Sequence, residues 1–344
     1  MTAEDSVAAA IEALPELRGA HSVERLGGLT NANFKVESPA GTFVVRIDAP
    51  DCDVLDIDPA SALANCKAAS VAGVGAPFVA WLPAERVLIM RFLAGRTLTP
   101  EDLRYGDRLA EVAALLRRLH GGCRFRGHFD MFRRQRDYQA SALARGFPLP
   151  EGYLRYEGHV RRIERAFAAH PMTAVACHND LVAENLIETP TGLRLIDYDY
   201  SGNNDPCSDL GDAWSESHLS LEQLDQLVGH YFGEPDPALV ARARLWALMS
   251  KYGWTLWAVL RHNVTPDPVL MAWGLGLYAE AAAEFEGDEF GRLLEETAAQ
   301  PRAATAFSRR ALVAGRAPAR RQSPSPSRAL PATSPRRAFR RPPT

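Results

Sequence analysis

The chain has 344 residues, 47% hydrophobic and 24% charged, with a formal net charge of −3. That length allows one large domain or two modest ones around a sizeable core, and the composition is that of a globular protein. No apolar run reaches the roughly 18 residues of a membrane helix, and the acidic start "MTAEDSVAAAIEALPEL" lacks the basic flank of a signal peptide, so a cytoplasmic protein with no membrane partner is expected.

The charge is unevenly placed. Eleven arginines, no lysine and no acid stand between Pro301 and Thr344, so residues 1–300 carry −14. A body of that sign is not built to bind nucleic acid through its overall field. The five cysteines, Cys52, Cys66, Cys123, Cys177 and Cys207, form no C-x-x-C pair and are expected as reduced, mostly buried thiols. Nothing in the sequence speaks to oligomeric state.

In chain order, "HSVERL", "NANFKVES" and "FVVRID" read as an antiparallel meander, with Phe34 and Val36 on one side and Phe43, Val45 and Ile47 alternating against Val44 and Arg46. Between the first two strands lies "GGLTNAN", residues 27–33, where Gly27 and Gly28 can bring backbone N–H groups close to a ligand; a plain hairpin turn would read the same. A helix is predicted over 59–73, with Pro59 in its first turn and Gly73 at its stop, followed by a buried strand over 85–95. Helices are then predicted over 101–120, 151–169, 219–232 and 238–262. This is an α+β, two-lobed pattern: a small β-rich lobe over 1–94 and a larger helical lobe over 95–300. Residues 301–344, rich in Arg, Pro, Ser and Ala with no apolar period, form a tail that cannot bury enough surface to offset its ordering entropy.

The densest chemistry lies in "CHNDLVAENL" and the "LIDYDY" that follows. Phosphoryl transfer needs a carboxylate aimed at the acceptor hydroxyl and oxygen ligands that hold Mg²⁺ on the nucleotide phosphates. The spacing H-x-D-x-x-x-x-N supplies both on one loop, Asp180 for the hydroxyl and Asn185 for the metal. A short hairpin then ends in Asp197, where a second metal ligand belongs. His178 is read as a brace for the loop. The competing reading is a structural loop in which these groups only hydrogen-bond and cap turns.

Together with "GGLTNANFKVES", "GTFVVRI", "MRFLAGRTL", "LRRLHGG" and "FDMF", these segments resemble the choline/ethanolamine kinase branch of the aminoglycoside phosphotransferase-like enzymes over residues 23–285. The resemblance implies the bilobal protein-kinase-like fold, ATP and Mg²⁺ as cofactors, and Asp180 as catalytic base. It places Gly28, Thr30 and Asn31 at the phosphates, Arg46 where protein kinases carry a phosphate-pairing lysine, and Asp209 beneath the catalytic loop. One departure stands out: Ala62 and Ala64 occupy the stretch of helix where the family offers a glutamate to that cation. Arg46 is therefore expected to be held less firmly, with Asp56 or Asp58 as substitutes.

For the acceptor, four of the six tryptophans, Trp246, Trp254, Trp257 and Trp273, fall within 28 residues. A trimethylammonium group has charge but no N–H to donate, so aromatic faces select it. "SKYGWTLWAVLR" resembles the choline-pocket helix of the family at Trp254 and Trp257, and Tyr278 is added as a third candidate. Trp246 and Trp273 are assigned to the core, and Asp199, Asp205 and Glu216 to a field attracting a cation. The expected function is a kinase for a small amino alcohol, choline or ethanolamine. The alternatives are another amino alcohol or an aminoglycoside as acceptor, or a nucleotide-binding pseudokinase.

Overall fold

The computed structural model describes residues 2–28, 30–48 and 54–299. The basic tail and Cys52 lie outside the described residues. Helix α1 (Ala3–Ala13), opened by a reciprocal Thr2–Asp5 capping box, precedes strands β1 (Ser22–Leu26), β2 (Ala32–Ser38) and β3 (Gly41–Ile47). After α2 (Pro59–Val71) come β4 (Phe78–Leu82) and β5 (Val87–Arg91), and the five strands form one antiparallel sheet in the order β1-β2-β3-β5-β4.

Period-2 alternation assigns the two faces of this sheet. Phe34, Val36, Phe43 and Val45 pack with Val7 and Ala10 of α1 in a separate small core. Val44 and Arg46 therefore face the other way, into the cleft. Residues 92–95 lead to the larger lobe.

That lobe begins with β6 (Arg96–Thr97), α3 (Pro100–Leu103), α4 (Arg108–His120), α5 (Met131–Ala144) and α6 (Glu157–Ala169). The helix expected over 101–120 is thus two, broken at Gly106, whose φ of +65° a helix cannot continue through. Next come β7 (Val175–Cys177), the hairpin β8 (Leu186–Thr189) and β9 (Gly192–Leu195), and β10 (Gly202–Asn204), which pairs with β7. The chain continues with α7 (Pro206–Glu216), α8 (Leu221–Phe232), α9 (Pro237–Val264), α10 (Pro268–Glu286) and α11 (Glu289–Thr297). Helix α9 is apolar on nearly every face because α5, α7, α10 and α11 all pack against it.

The result is α+β and two-lobed, as the sequence predicts. Cys66, Cys177 and Cys207 are buried free thiols, whereas Cys123 is exposed. Among the described residues no helix is long and apolar enough to cross a membrane.

Candidate active site

β7 delivers the chain at Cys177 into a loop, residues 178–185, that is held from below by one carboxylate. The backbone N–H of His178 donates to Asp209 Oδ2 at 2.9 Å and that of Asn179 to Oδ1 at 2.7 Å. His120 Nε2 lies 2.9 Å from the same carboxylate, with its Nδ1 2.7 Å from the Tyr231 hydroxyl. Burial pushes the Asp209 carboxyl up, but the hydrogen bonds and the imidazoles of His120 and His178 more than offset it, so the group titrates below its ordinary range. His178 Nε2 donates to the Ile196 carbonyl at 2.9 Å, tying this loop to the turn that carries Asp197. Asn179 was not singled out from the sequence. It sits at a φ of +63° and donates to the Cys177 and Tyr200 carbonyls, and nothing in the residue pattern signals that conformation. His120, Cys177 and Asp209 are close enough to hold a metal, but the imidazole and carboxylate are already engaged in these bonds.

Above the brace, Asp180, Asn185 and Asp197 line one cleft of about 990 Å³ between the lobes. Asn185 Nδ2 donates to the Asp180 carbonyl at 3.0 Å, which leaves its Oδ1 as the atom available to a ligand. Asp197 is held at a φ of +66° with 46% of its side chain exposed. A non-glycine residue in that region is strained, and such strain is kept where a turn must aim a side chain. An amide oxygen and a carboxylate are hard donors of the type Mg²⁺ takes, so the donor set fits this ion. Burial, then the carboxylates of Asp197, Glu216 and Asp199, push the Asp180 carboxyl well up.

Gly28, Thr30 and Asn31 line the same cleft. A Cβ on Gly28 would come within 2.9 Å of the Asn31 carbonyl oxygen, so only glycine lets this loop fold back on itself. Arg46, on the cleft face of β3, is not left loose. Its Nη2 pairs with Asp199 Oδ1, Nη1 lies 3.5 Å from Asp197, and Nε lies 3.7 Å from Asp48. Asp56 and Asp58 do not substitute for the missing glutamate. Asp56 pairs with Arg134 at 3.1 Å, and Asp58 caps α2 through the Ala60 N–H. Asn31 Nδ2 donates to the other oxygen of Asp199 at 2.7 Å, so its amide group is turned toward that carboxylate.

In the same cleft Trp254 and Trp257, one turn apart on α9, meet Tyr200 and Trp273. Trp257 Nε1 donates to the Tyr200 hydroxyl at 2.6 Å, and Tyr200 meets Trp254 edge to face at 4.7 Å. Trp273 stands perpendicular to Trp257 at 6.2 Å. Trp246 is in the core as expected, but Trp273 is 41% exposed and belongs to this box. Tyr278 does not reach it. Its ring packs on Tyr153 and Tyr156 and its hydroxyl donates to the Glu151 carbonyl, because it lies more than a turn beyond Trp273 on a different face of α10. Of the expected cation-attracting acids, Glu216 lines the cleft, Asp199 is paired with Arg46, and Asp205 is paired with Arg242 elsewhere. Asp212, which accepts from Ser250 Oγ at 2.7 Å, is a further cleft carboxylate that the sequence reading missed.

Residues 22–246 match the model of the phosphotransferase enzyme family. Protein LicA of Haemophilus influenzae is 30% identical over 224 residues, 61% of this chain and 63% of LicA, so the chain spans less than two thirds of that relative. A thiamine kinase of Escherichia coli is 30% identical over 239 residues, 66% of this chain and 79% of the relative. A solved choline/ethanolamine kinase family protein from Mesorhizobium loti is 32% identical, with a TM-score of 0.76 over 86% of this chain and 99% of its own. The choline kinase LicA of Streptococcus pneumoniae, 23% identical with a TM-score of 0.69 over 82% of this chain and 98% of its own, shares the fold.

Proposed function

The chain belongs to the phosphotransferase enzyme family, and on that premise we propose that it transfers the γ-phosphoryl group of ATP to the hydroxyl of a small cationic alcohol, choline or ethanolamine. The observation that carries the reading is the joining of two half-sites in one cleft. Asp180, Asn185, Asp197 and Arg46 line one part of it, and the box of Tyr200, Trp254, Trp257 and Trp273 lines another.

The box holds the quaternary ammonium against π faces, with Asp212 and Glu216 adding favourable field, so the hydroxyl arm points back toward Asp180. The Asp180 carboxylate orients that hydroxyl and accepts its proton as the oxygen attacks in line. Arg46 and the glycine-rich segment at Gly28, Thr30 and Asn31 hold the phosphates, where exclusion of water protects the transfer from competing hydrolysis. Asn185 and Asp197 would hold Mg²⁺, which when bound neutralises charge on the phosphates. The lobe boundary is placed at 94/95.

A second acceptor, thiamine, is favoured by the relatives named thiamine kinase and by the same aromatic box, since a thiazolium ring is a flat cation that can stack there. An aminoglycoside, whose several ammonium groups pair with carboxylates, would have no need of the four aromatics. Against the pseudokinase reading, Arg46 has a carboxylate partner in Asp199.

The test is ADP release from the full chain with ATP and Mg²⁺, with choline, ethanolamine, thiamine, an aminoglycoside or no acceptor. The reading expects choline or ethanolamine to give the highest kcat/KM, and Trp254→Ala to abolish the preference for choline. Highest kcat/KM with thiamine would transfer the assignment to that acceptor, and no acceptor-dependent release at all would refute the kinase.

A further inference from the structure

Helix α2 brings no carboxylate to Arg46. Ala62 and Ala64 stand in the expected stretch, and the buried Asn65 of the same helix spends its amide on the Arg126 and Ser201 carbonyls. We infer that Asp199 is the positioning residue that takes over this task and, through Asn31, locks the phosphate-facing loop onto the turn that carries Asp197. The inference rests on the reading above, that Arg46 clamps nucleotide phosphate.

Both carboxylate oxygens are committed. Oδ1 pairs with Arg46 Nη2 on β3, and Oδ2 accepts from Asn31 Nδ2 in the loop before β2. The Asp199 side chain is only 5% exposed, so water does not compete effectively for these bonds. The turn itself is fixed. Tyr198, between the two aspartates, is buried and donates its hydroxyl to the Leu195 carbonyl at 3.1 Å, while His178 holds the Ile196 carbonyl.

A guanidinium keeps its charge at every working pH, so what it needs from a partner is a direction, and Asp199 supplies one. In protein kinases the equivalent ion pair reaches to a helix, and moving the helix releases the clamp. Here the clamp, the loop and the metal-side aspartate form one unit of a few residues, and Arg46 takes its partner from that turn rather than from α2.

The experiment titrates ATP and adenosine into the full chain by calorimetry and measures kcat and acceptor KM for wild type, Asp199→Asn, Asp199→Glu, Arg46→Ala and the Asp199→Asn/Arg46→Ala double variant. Removing a negative charge beside the phosphates would by itself tighten ATP, so the inference makes an opposite prediction. Asp199→Asn weakens ATP about threefold or more while adenosine binds as before, and kcat falls about tenfold with acceptor KM unchanged. Asp199→Glu, which keeps the charge, recovers part of the loss, and the double variant is no worse than Arg46→Ala alone. ATP binding that is unchanged or tighter in Asp199→Asn, equal weakening of adenosine, or losses that multiply in the double variant would overturn it. A wild type that binds ATP without any acceptor-dependent turnover sinks the kinase reading instead, and the affinities still decide the role of Asp199.

Discussion

Asp209 shows how much of this site hangs on single groups. One fully buried carboxylate satisfies two backbone N–H groups and an imidazole. Asp209→Ala strands all three, and the expected cost is about 3–5 kcal/mol, read from urea unfolding. Because the folded carboxyl titrates below its ordinary value, its contribution is fully present above about pH 4 and is lost as pH falls through the lower folded value; Asp209→Asn flattens that acid limb. In the aromatic box, Trp257→Phe removes the indole N–H that fixes the Tyr200 hydroxyl and shrinks one π face. Choline KM should rise about tenfold, on the order of 1.4 kcal/mol, with kcat nearly kept; an unchanged KM would remove Trp257 from the box. The gathering of Asp180, Asn185 and Asp197 in one cleft was legible because phosphoryl transfer fixes residue types at short spacings. Arg46 and Asp199 were not legible as a pair, since they stand 153 positions apart and meet only once the lobes face each other.

At the scale of elements, the acceptor box depends on how closely two helices approach. A Cβ on Gly274 of α10 would lie 2.4 Å from the Ala258 Cβ of α9, so the glycine sets the distance that brings Trp273 to Trp257. Gly274→Val forces the helices apart, with an expected destabilisation of about 1–3 kcal/mol and a raised choline KM, while ATP affinity is retained. Melting temperature and the two binding constants check this, and an equal loss of ATP binding would contradict it. The sheet was legible because β2 and β3 bury one face and alternate cleanly. Helix α10 was not: it is apolar on nearly every face, so periodicity gave Trp273 no side, and only the packing against α9 does. The break between α3 and α4 falls at Gly106 and Asp107, a turn signal set inside a stretch of good helix formers.

For the whole molecule, residues 1–300 carry −14, and acids including Glu184, Asp197 and Glu216 bring that sign to the cleft. A cationic alcohol is drawn into such a field and loses that help as salt shortens its reach, from about 10 Å at 0.1 M to 3 Å at 1 M. Choline KM should therefore rise several-fold between those salt concentrations, whereas a neutral isostere, 3,3-dimethylbutanol, keeps its KM; parallel behaviour of the two would show that the acids do not act on the acceptor. The division into a small sheet lobe and a large helical lobe could be read from the order of patterns alone, but the joining of their faces into one cleft could not. The most direct measurement is phosphorus NMR of the 344-residue chain with ATP, Mg²⁺ and choline, beside Asp180→Asn. The account predicts a phosphomonoester signal from choline growing in step with ADP and absent with the variant. ADP accompanied only by inorganic phosphate, or equal product from Asp180→Asn, would contradict it.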